Sequence, residues 1–569
     1  MHKAGIYSSR AVVNLVIDGR HNIPKDVFNY LKYDLKMWDP GMLLSVHKGS
    51  EVTCHIFERT VELPRHPSQR EYYLPMQMIL SVKEKTGGVL NSHLWSLTAF
   101  ARQVVPKYLL ILGPGVYPDA DSFRHLYEEM ELYPQVGLCS GEVKPYSPKF
   151  HTFSQASQVF DHKLSHILQK QADSFSGFVV PFTSNFTLYR WHAIQGEPLN
   201  QYFRVEEDGL AKLGPFYSNL YLSVDRIIAF EVLTKARENW TTHYASSAVA
   251  EQSLPGSLID LIVHRRRQLS GTLLGYFYYL SKMTTIWNRS AHSLPRKLAL
   301  TLQSLMHVFY ALYIWFAPAL MYLVMFYIFQ TSVAGLGFGT DIITFGFHLI
   351  YLITIGLQIV FAMASRTEDV ERVYLLSSLI YGSFMYVAFA LFLVSSSEGS
   401  FNSLFITGLG IGFGILVVAA IINNCFFTMA FSFFQYLFTF PTYVNLFLVY
   451  SFCNLHDISS RIKEGSLNVL LHQARQEIRK NIDVKVDENP KRRASEILQE
   501  VEHRIKELQH AQFYADDNPT APSEDAPKRD SVPRDEKRNV QRTNFDARQM
   551  LDDAYVAAQK EAIDRKIEE

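Results

Sequence analysis

Residues 300–329 read LTLQSLMHVFYALYIWFAPALMYLVMFYIF, and none of them is Asp, Glu, Lys or Arg. A helix needs about 20 mostly apolar residues to cross the hydrocarbon core of a bilayer, so this run is long enough to span a membrane. Trp315 and the tyrosines around it belong to the residue types that favour the membrane interface. The stretch therefore predicts a transmembrane helix.

Further apolar runs follow this first span. Residues 345–364, 374–394 and 405–422 each satisfy the length requirement. The run 426–452 is also apolar but contains Pro441, which leaves two interpretations, a fifth span or a re-entrant hairpin. Because several uncharged runs of this length are rare in soluble chains, the sequence predicts an all-helical transmembrane domain over residues 299–456.

The charges in the connecting loops predict the orientation. Arg366 and Arg372 lie between the second and third spans, whereas the preceding loop carries Asp341. Positive loops stay inside, so residues 1–295 are expected in the cytosol. Basic residues also follow the last apolar run, at Arg461 and Lys463. A cytosolic tail requires an even number of crossings, which favours the re-entrant interpretation around Pro441.

Composition excludes some classes of function. The formal net charge is +0, so no global attraction to nucleic acid is expected. The cysteines Cys54, Cys139, Cys425 and Cys453 are widely spaced and form no zinc-binding pattern, which fits a reduced, cytosolic setting. Residues 1–10 contain no apolar segment typical of a cleaved signal peptide, so insertion is expected to rely on the internal spans.

Before the membrane region, apolar strands alternate with helical patterns, which predicts an α/β domain over residues 11–255. The predicted strands are 12–17, 52–58, 108–112 and 135–142, and the predicted helices are 92–101, 122–133 and 155–171. Asp18 directly follows the first strand, at the edge where α/β sheets bind ligands. Residues 256–298 are expected to form membrane-interface helices with a basic cluster at 264–267. By itself, this cluster also fits a positive-inside flank or a contact with lipid headgroups.

Over residues 11–460 the chain resembles fungal-type chitin synthases, which are processive family 2 glycosyltransferases. The resemblance rests on an ordered series of segments rather than on one motif. These segments are VVNLVIDGR (12–20), EVTCHIFERT (51–60), SVKEKTGGVLNSHLW (81–95), VGLCSGEV (136–143), PLNQYF (198–203), NLYLSVDRII (219–228), HRRRQLSG (264–271) and CNLHDISS (453–460). They are similar, in the same order, to the family's SDGR, VTAHIYEYT, NSHRW, ACGEI, PLxxYF, AEDR, QRRRW and CNTHDISW motifs.

The resemblance implies a GT-A-like α/β fold and transfer of N-acetylglucosamine from UDP-N-acetylglucosamine to a growing β-1,4-linked chitin chain. It implies that Asp225 is the catalytic base and that Arg267 binds the diphosphate, with His264, Arg265, Arg266 and Gln268 beside it at the acceptor. The matching donor-side positions are Asp18, Lys83, Lys85, Trp95 and Arg226. The alternatives are purely structural roles: Asp225 could cap a helix, the two lysines could be solvated surface residues, and Trp95 could be a core residue.

The chain departs from the family pattern at positions that matter for chemistry. The resemblance implies a divalent cation, Mg²⁺ or Mn²⁺, but Gly113 stands where the family has the aspartate that helps to hold it, so the residue at this position does not support the cofactor. Asp119 and Asp121 follow at shifted spacing as an alternative pair. The first acid of the AEDR motif is replaced by Val224, and Gln268 replaces the tryptophan of the QRRRW motif. The family's first strand, its SWG motif and its last two spans have no counterpart.

Several functions fit these features: an active chitin synthase, a catalytically impaired paralogue that works with an active synthase, or a truncated form of either. A pure transporter is disfavoured because no ionisable side chain lies in the middle of a span. Expected partners are UDP-N-acetylglucosamine, the chitin chain, membrane lipids and further subunits in a homo- or hetero-oligomer at the plasma membrane. The charged tail, 461–569, is expected to be partly disordered, with helices at 494–510 and 547–567.

Overall fold

The computed structural model describes residues 10–455 with gaps at 39–40, 42, 45, 48–49, 62–74, 147–151, 180–184, 209–213, 222–223, 335–339, 366, 368, 398 and 400. All described residues belong to one compact unit, Met1–Ala474. The charged tail with its two expected helices lies outside the described residues. So do Arg366, residues 181–184 and the segment where the SWG motif was sought.

The strands form two principal sheets and a short hairpin. They are β1 (Val12–Ile17), β2 (Val46–His47), β3 (Ser50–Glu51), β4 (Cys54–Val61), β5 (Met76–Lys83), β6 (Tyr108–Leu112), β7 (Val116–Pro118), β8 (Val136–Pro145), β9 (Phe186–Arg190) and β10 (Thr241–Gln252). One sheet has the order β1-β5-β4, with β1 parallel to β5. The other has the order β6-β9-β8-β10-β7, with β8 and β10 parallel.

Helices lie between and after these strands. In the α/β part they are α1 (Lys25–Asn29), α2 (Gly88–Leu94), α3 (Arg102–Val104), α4 (Ser122–Leu132), α5 (Phe153–Leu164), α6 (Gln171–Ser176), α7 (Trp191–Ile194), α8 (Glu197–Asp208), α9 (Gly214–Leu220), α10 (Asp225–Leu233) and α11 (Leu258–Arg289). The π-helical segments Trp95–Ala101 and Ser165–Lys170 join α2 to α3 and α5 to α6. The predicted α/β fold is confirmed, although β5, β9 and β10 were not predicted.

The α/β core is built around α10. Every residue of this helix from Arg226 to Leu233 is buried, and its apolar side chains cluster with Tyr279 of α11 and with Ala193 and Ile194 of α7. Burying an aliphatic or aromatic side chain contributes about 1.5–3 kcal/mol relative to leaving it exposed. This packing therefore fixes the start of α10, where Asp225 lies, against α11.

The apolar helices are α12 (Leu294–Ala334), α13 (Thr340–Ala364), α14 (Glu371–Ser397), α15 (Ser403–Ile422), α16 (Phe426–Pro441) and α17 (Val449–Cys453). The π-helical segment Thr442–Leu448 joins α16 to α17. Counting α16 and α17 together, five helices in the described part of the chain are long and apolar enough to cross a membrane. The predicted transmembrane domain is thereby confirmed as a region of apolar helices.

The re-entrant hairpin predicted around Pro441 is wrong. The chain runs as one helix through the proline, because the adjoining π-helical segment accommodates the missing backbone donor. Both ends of this long helix contact the α/β part: Gln171 donates to Asn423 (2.6 Å) just before it, and Asn219 donates to the Leu455 carbonyl just after it. Both ends of this helix therefore lie next to the α/β part.

Candidate active site

The first predicted site residue, Asp18, lies at the C-terminal end of β1. The parallel register pairs Ile17 with Val82, so Asp18 and Lys83 leave their strands side by side. The Lys83 ammonium is 2.6 Å from the Asp18 carboxylate, which also accepts hydrogen bonds from the backbone of Gly87 and Gly88 at 2.9 Å each. Asp18 thus holds the turn that leads into α2, and the structure brings Asp18 and Lys83 together.

The other residues predicted on the donor side lie in different environments. Lys83 is buried and donates to Asn91 of α2 at 3.0 Å, which ties the strand end to the helix. Lys85 lies outside this network: its ammonium is 3.5 Å from Glu51, and both side chains are more than four-fifths exposed. Trp95 is half-buried at the start of the π-helical segment after α2. The structure therefore places Asp18 and Lys83 in one cluster and leaves Lys85 at the surface.

Gly113 directly follows β6 and lies beside Asn185, which directly precedes β9. The antiparallel register pairs Leu112 with Phe186, and the Gly113 N–H donates to the Asn185 carbonyl at 3.0 Å. A Cβ added to Gly113 would lie only 2.5 Å from Cγ and 2.6 Å from Oδ1 of Asn185. Real Cβ atoms do not approach other heavy atoms so closely. The side chain of Asn185 therefore fills the space that an aspartate at position 113 would need.

The alternative acidic pair is engaged elsewhere. Asp119 follows β7 and lies 3.9 Å from the ammonium of Lys144, which also pairs with Glu251 at 3.3 Å. Asp121 precedes α4 and lies 3.8 Å from the guanidinium of Arg124. These carboxylates serve ion pairs near the β7–β10 edge and the start of α4.

Asp225 is the first residue of α10, close to β9 and α11. Burial raises the pKa of the Tyr189 phenol on β9, and the nearby Asp225 carboxylate raises it further. The next residue, Arg226, is buried, and burial lowers its pKa to about 10 against the opposing effects of Tyr276 and Asp225. Its Nη2 donates to the Gln268 carbonyl at 3.4 Å. The start of α10 and the basic segment of α11 thus meet at this contact.

The basic segment of α11 points in several directions, because successive helical residues are rotated by about 100°. Arg265 forms an ion pair with Asp161 of α5, and its guanidinium lies 4.8 Å from the centre of the Tyr443 ring. Burial opposes the charge on Arg265, but Asp161 outweighs it, so the pKa lies above its ordinary value. Arg265 therefore connects elements of the fold.

His264 and Arg266 occupy different environments on the same helix. Arg266 is buried, at 4% exposure. The His264 side chain is exposed, and desolvation by the protein around it, together with the positive charges of Arg265 and Arg267, lowers the pKa of its imidazole. In its neutral form this imidazole can donate one hydrogen bond and accept another.

A cluster on α5 and the segment after it was not predicted. His166 contacts the Tyr244 hydroxyl (2.7 Å), the His162 ring (3.1 Å) and the Lys170 ammonium (3.2 Å). Burial lowers the pKa of Lys170 to about 7 and that of both histidines well below their usual value. The sequence carried a signal for this cluster, since positions 162, 166 and 170 follow the i, i+4 spacing of one helix face.

These features agree with the comparisons to known proteins. Residues 4–283 match the chitin synthase-like glycosyltransferase domain. The chain belongs to the chitin synthase family. It is 30% identical over 522 residues to chitin synthase 1 of Phytophthora sojae, covering 89% of this chain and 56% of that protein.

Two other chitin synthases give similar values. Chitin synthase C of Aspergillus oryzae is 31% identical over 487 residues, covering 79% of this chain and 52% of the relative. Chitin synthase 1 of Saccharomyces cerevisiae is 29% identical over 492 residues, covering 81% and 43%. This chitin synthase-type chain thus spans about half the length of the curated relatives it matches.

Proposed function

We propose that this chitin synthase-type chain binds UDP-N-acetylglucosamine and transfers its sugar to the end of a growing β-1,4-linked chitin chain. The observation that carries the proposal is the position of Asp225. This residue opens a buried helix whose next residue, Arg226, contacts the backbone of the basic α11 segment. The carboxylate of Asp225 and the basic segment that carries Arg267 therefore lie on adjoining elements, as sugar transfer from a nucleotide diphosphate requires.

In the proposed reaction, the hydroxyl of the acceptor sugar attacks the anomeric carbon of the donor. Asp225 accepts the hydroxyl proton, the bond between the anomeric carbon and the diphosphate oxygen breaks, and the electron pair leaves with UDP. Fixed positive charge on Arg267 stabilises the leaving diphosphate. The imidazole of His264 and the amide of Gln268 are the proposed polar contacts for the acceptor.

The membrane part is proposed to export the product. In this proposal α12–α15 cross the plasma membrane, the α/β part faces the cytosol, and the helix Phe426–Cys453 lies on the cytosolic side of the bundle. The ion pair of Asp161 with Arg265 supports a close connection between the synthesising part and this helix, because Arg265 also packs on Tyr443. Membrane lipids and further subunits are the remaining proposed partners.

The direct test is expression in a host that lacks its own chitin synthases. Membranes that contain the wild-type chain should convert radiolabelled UDP-N-acetylglucosamine into insoluble, chitinase-sensitive polymer. Asp225→Asn should abolish this product. Asp26→Asn is the matched control, because Asp26 is also an acid in the first turn of a helix but is exposed on α1. Polymer from Asp225→Asn at the wild-type rate would refute the assignment of the base.

A second candidate function is a partner of an active synthase with little turnover of its own. The observation that favours it is the side chain of Asn185, which fills the space of the missing acid at Gly113. Co-expression of this chain with an active chitin synthase should then raise the polymer yield. Co-expression of the Asp225→Asn variant should raise the yield by the same amount. A stimulating effect that is lost with Asp225→Asn would favour direct catalysis instead.

A further inference from the structure

The environment of Gly113 excludes the acid that the family would place there. The added Cβ meets not only Cγ and Oδ1 of Asn185 but also its Cβ, at 2.8 Å. Rotation of the Asn185 side chain would therefore not clear the space. The backbone hydrogen bond from Gly113 to Asn185 holds the two residues together, so neither strand end moves independently. The residues present do not fit a metal-binding carboxylate at position 113.

The group that occupies this space is chemically different from a carboxylate. Oδ1 of Asn185 lies 2.6 Å from the position of the added Cβ, close to the distance between a carboxylate oxygen and the Cβ of its own side chain. An amide is neutral and carries two N–H donors, which hydrogen-bond directly to phosphate oxygens. Mg²⁺ in phosphate-binding sites is instead held by one or two carboxylates together with the phosphates. Asn185 therefore places a neutral amide, with an acceptor oxygen and two N–H donors on its nitrogen, where the family offers a metal-binding carboxylate.

We propose that this chain binds the diphosphate of the nucleotide without a divalent cation, with the Asn185 amide donating to a phosphate oxygen. The proposal rests on the proposed function, since it places UDP beside the C-terminal end of β6. Positive charge for the diphosphate then comes from protein side chains, which are fixed by the fold. Hydrogen bonds between such charged groups are stronger than neutral ones.

The test is UDP binding by the purified full chain in detergent, measured by calorimetry with Mg²⁺ and with EDTA. The wild-type dissociation constant should be the same in both conditions. Asn185→Asp keeps the shape but replaces the donor by a negative charge. It should weaken UDP binding about tenfold in EDTA, or about 1.4 kcal/mol, and Mg²⁺ should restore it. Asn29→Asp on exposed α1 is the matched control and should behave like the wild type.

The possible outcomes separate this inference from the proposed function. Absence of UDP binding in both conditions would refute both. Wild-type binding that requires Mg²⁺ would refute the metal-free site alone, and this measurement needs no variant. A third outcome is that the wild type binds UDP in EDTA and that the affinity of Asn185→Asp also does not change with Mg²⁺. Asn185 would then not contact the diphosphate.

A separate measurement tests whether the Asn185 side chain fills the space beside Gly113. Gly113→Ala should lower the melting temperature of the chain, and Asn185→Gly should relieve that loss because it removes both the amide and the Cβ. If Gly113→Ala is tolerated equally well with Asn185 and with Gly at position 185, then the amide does not fill the space, and the inference fails.

Discussion

Arg265 of α11 and Asp161 of α5 form an ion pair in which the two side chains are only 15% and 23% exposed. The same guanidinium packs on Tyr443, in the helix that follows the apolar spans. Phe160, next to Asp161, stacks on Tyr436 at 4.4 Å, so apolar contacts reinforce the charged one. Three elements that are distant in sequence therefore meet at one buried arginine.

Asp161→Asn should strongly destabilise the protein. The substitution leaves Arg265 buried with no opposing charge, and breaking a buried pair in this way typically costs about 3–5 kcal/mol. The melting temperature of the purified chain in detergent measures the loss. Glu128→Gln is the control, because it removes an exposed pair with Arg124 and should cost less than about 0.5 kcal/mol. Equal melting temperatures for both variants would contradict this account of Arg265.

The buried side chain of Lys170 should make the stability of the protein depend on pH. Burial lowers its pKa from 10.5 to about 7. Between these two pH values the unfolded chain binds more protons than the folded one, so the free energy of unfolding rises with pH from about 7 toward 10.5. Below pH 7 Lys170 is charged in the folded chain, and the destabilisation from burying this charge is fully present. Lys170→Met should therefore raise the melting temperature most below pH 7, with a gain that shrinks toward alkaline pH.

The groups around Lys170 act in both directions. Glu142 and Asp173 favour its charge, whereas Arg226 opposes it. Lys85→Met is the control for Lys170→Met, because Lys85 is exposed and its loss should leave the pH profile of the melting temperature unchanged. A Lys170→Met profile parallel to that of the wild type would mean that Lys170 keeps its charge when folded.

The sequence predicted some of these features and not others, for physical reasons. β1 and β6 were predicted with the same bounds as observed, because each is a short run dominated by apolar residues. β10 was missed because its sequence, TTHYASSAVAEQ, lacks such a run and depends on pairing with β8. Asp18 and Lys83 were grouped only as donor-side positions by the resemblance, and the pairing of β1 with the unpredicted β5 is what brings them together. The Arg265–Asp161 pair and the Gly113–Asn185 contact join distant segments, which no local pattern encodes.

The helix Phe426–Cys453 gives a topological prediction. Single cysteines at Asn424 and Asn454, introduced after replacing the native cysteines, should react with an impermeant maleimide only from the cytosolic side. The reason is that both ends of this helix contact the α/β part of the chain. A cysteine at Asn402, between α14 and α15, should react only from the outside. Labelling of positions 424 and 454 from opposite sides would make the helix a fifth crossing.

The pair of Asp18 and Lys83 gives a prediction for both stability and binding. Asp18→Asn leaves the buried Lys83 ammonium without its nearest acid and weakens the hydrogen bonds from Gly87 and Gly88, so we expect a loss of about 1–3 kcal/mol. Lys83→Met alone should also destabilise the chain. The double variant should lose less than the sum of the two, because it removes the unpaired charge together with its partner.

UDP binding then distinguishes a structural from a ligand-binding role for this pair. If Asp18 serves only to hold the turn before α2, the double variant should regain UDP affinity in step with its melting temperature. If Asp18 or Lys83 contacts the nucleotide, affinity should stay low in the double variant although stability returns. The carboxylate already accepts two backbone hydrogen bonds and an ammonium. We therefore expect affinity to follow stability, which assigns Asp18 to positioning the turn rather than to direct contact with UDP.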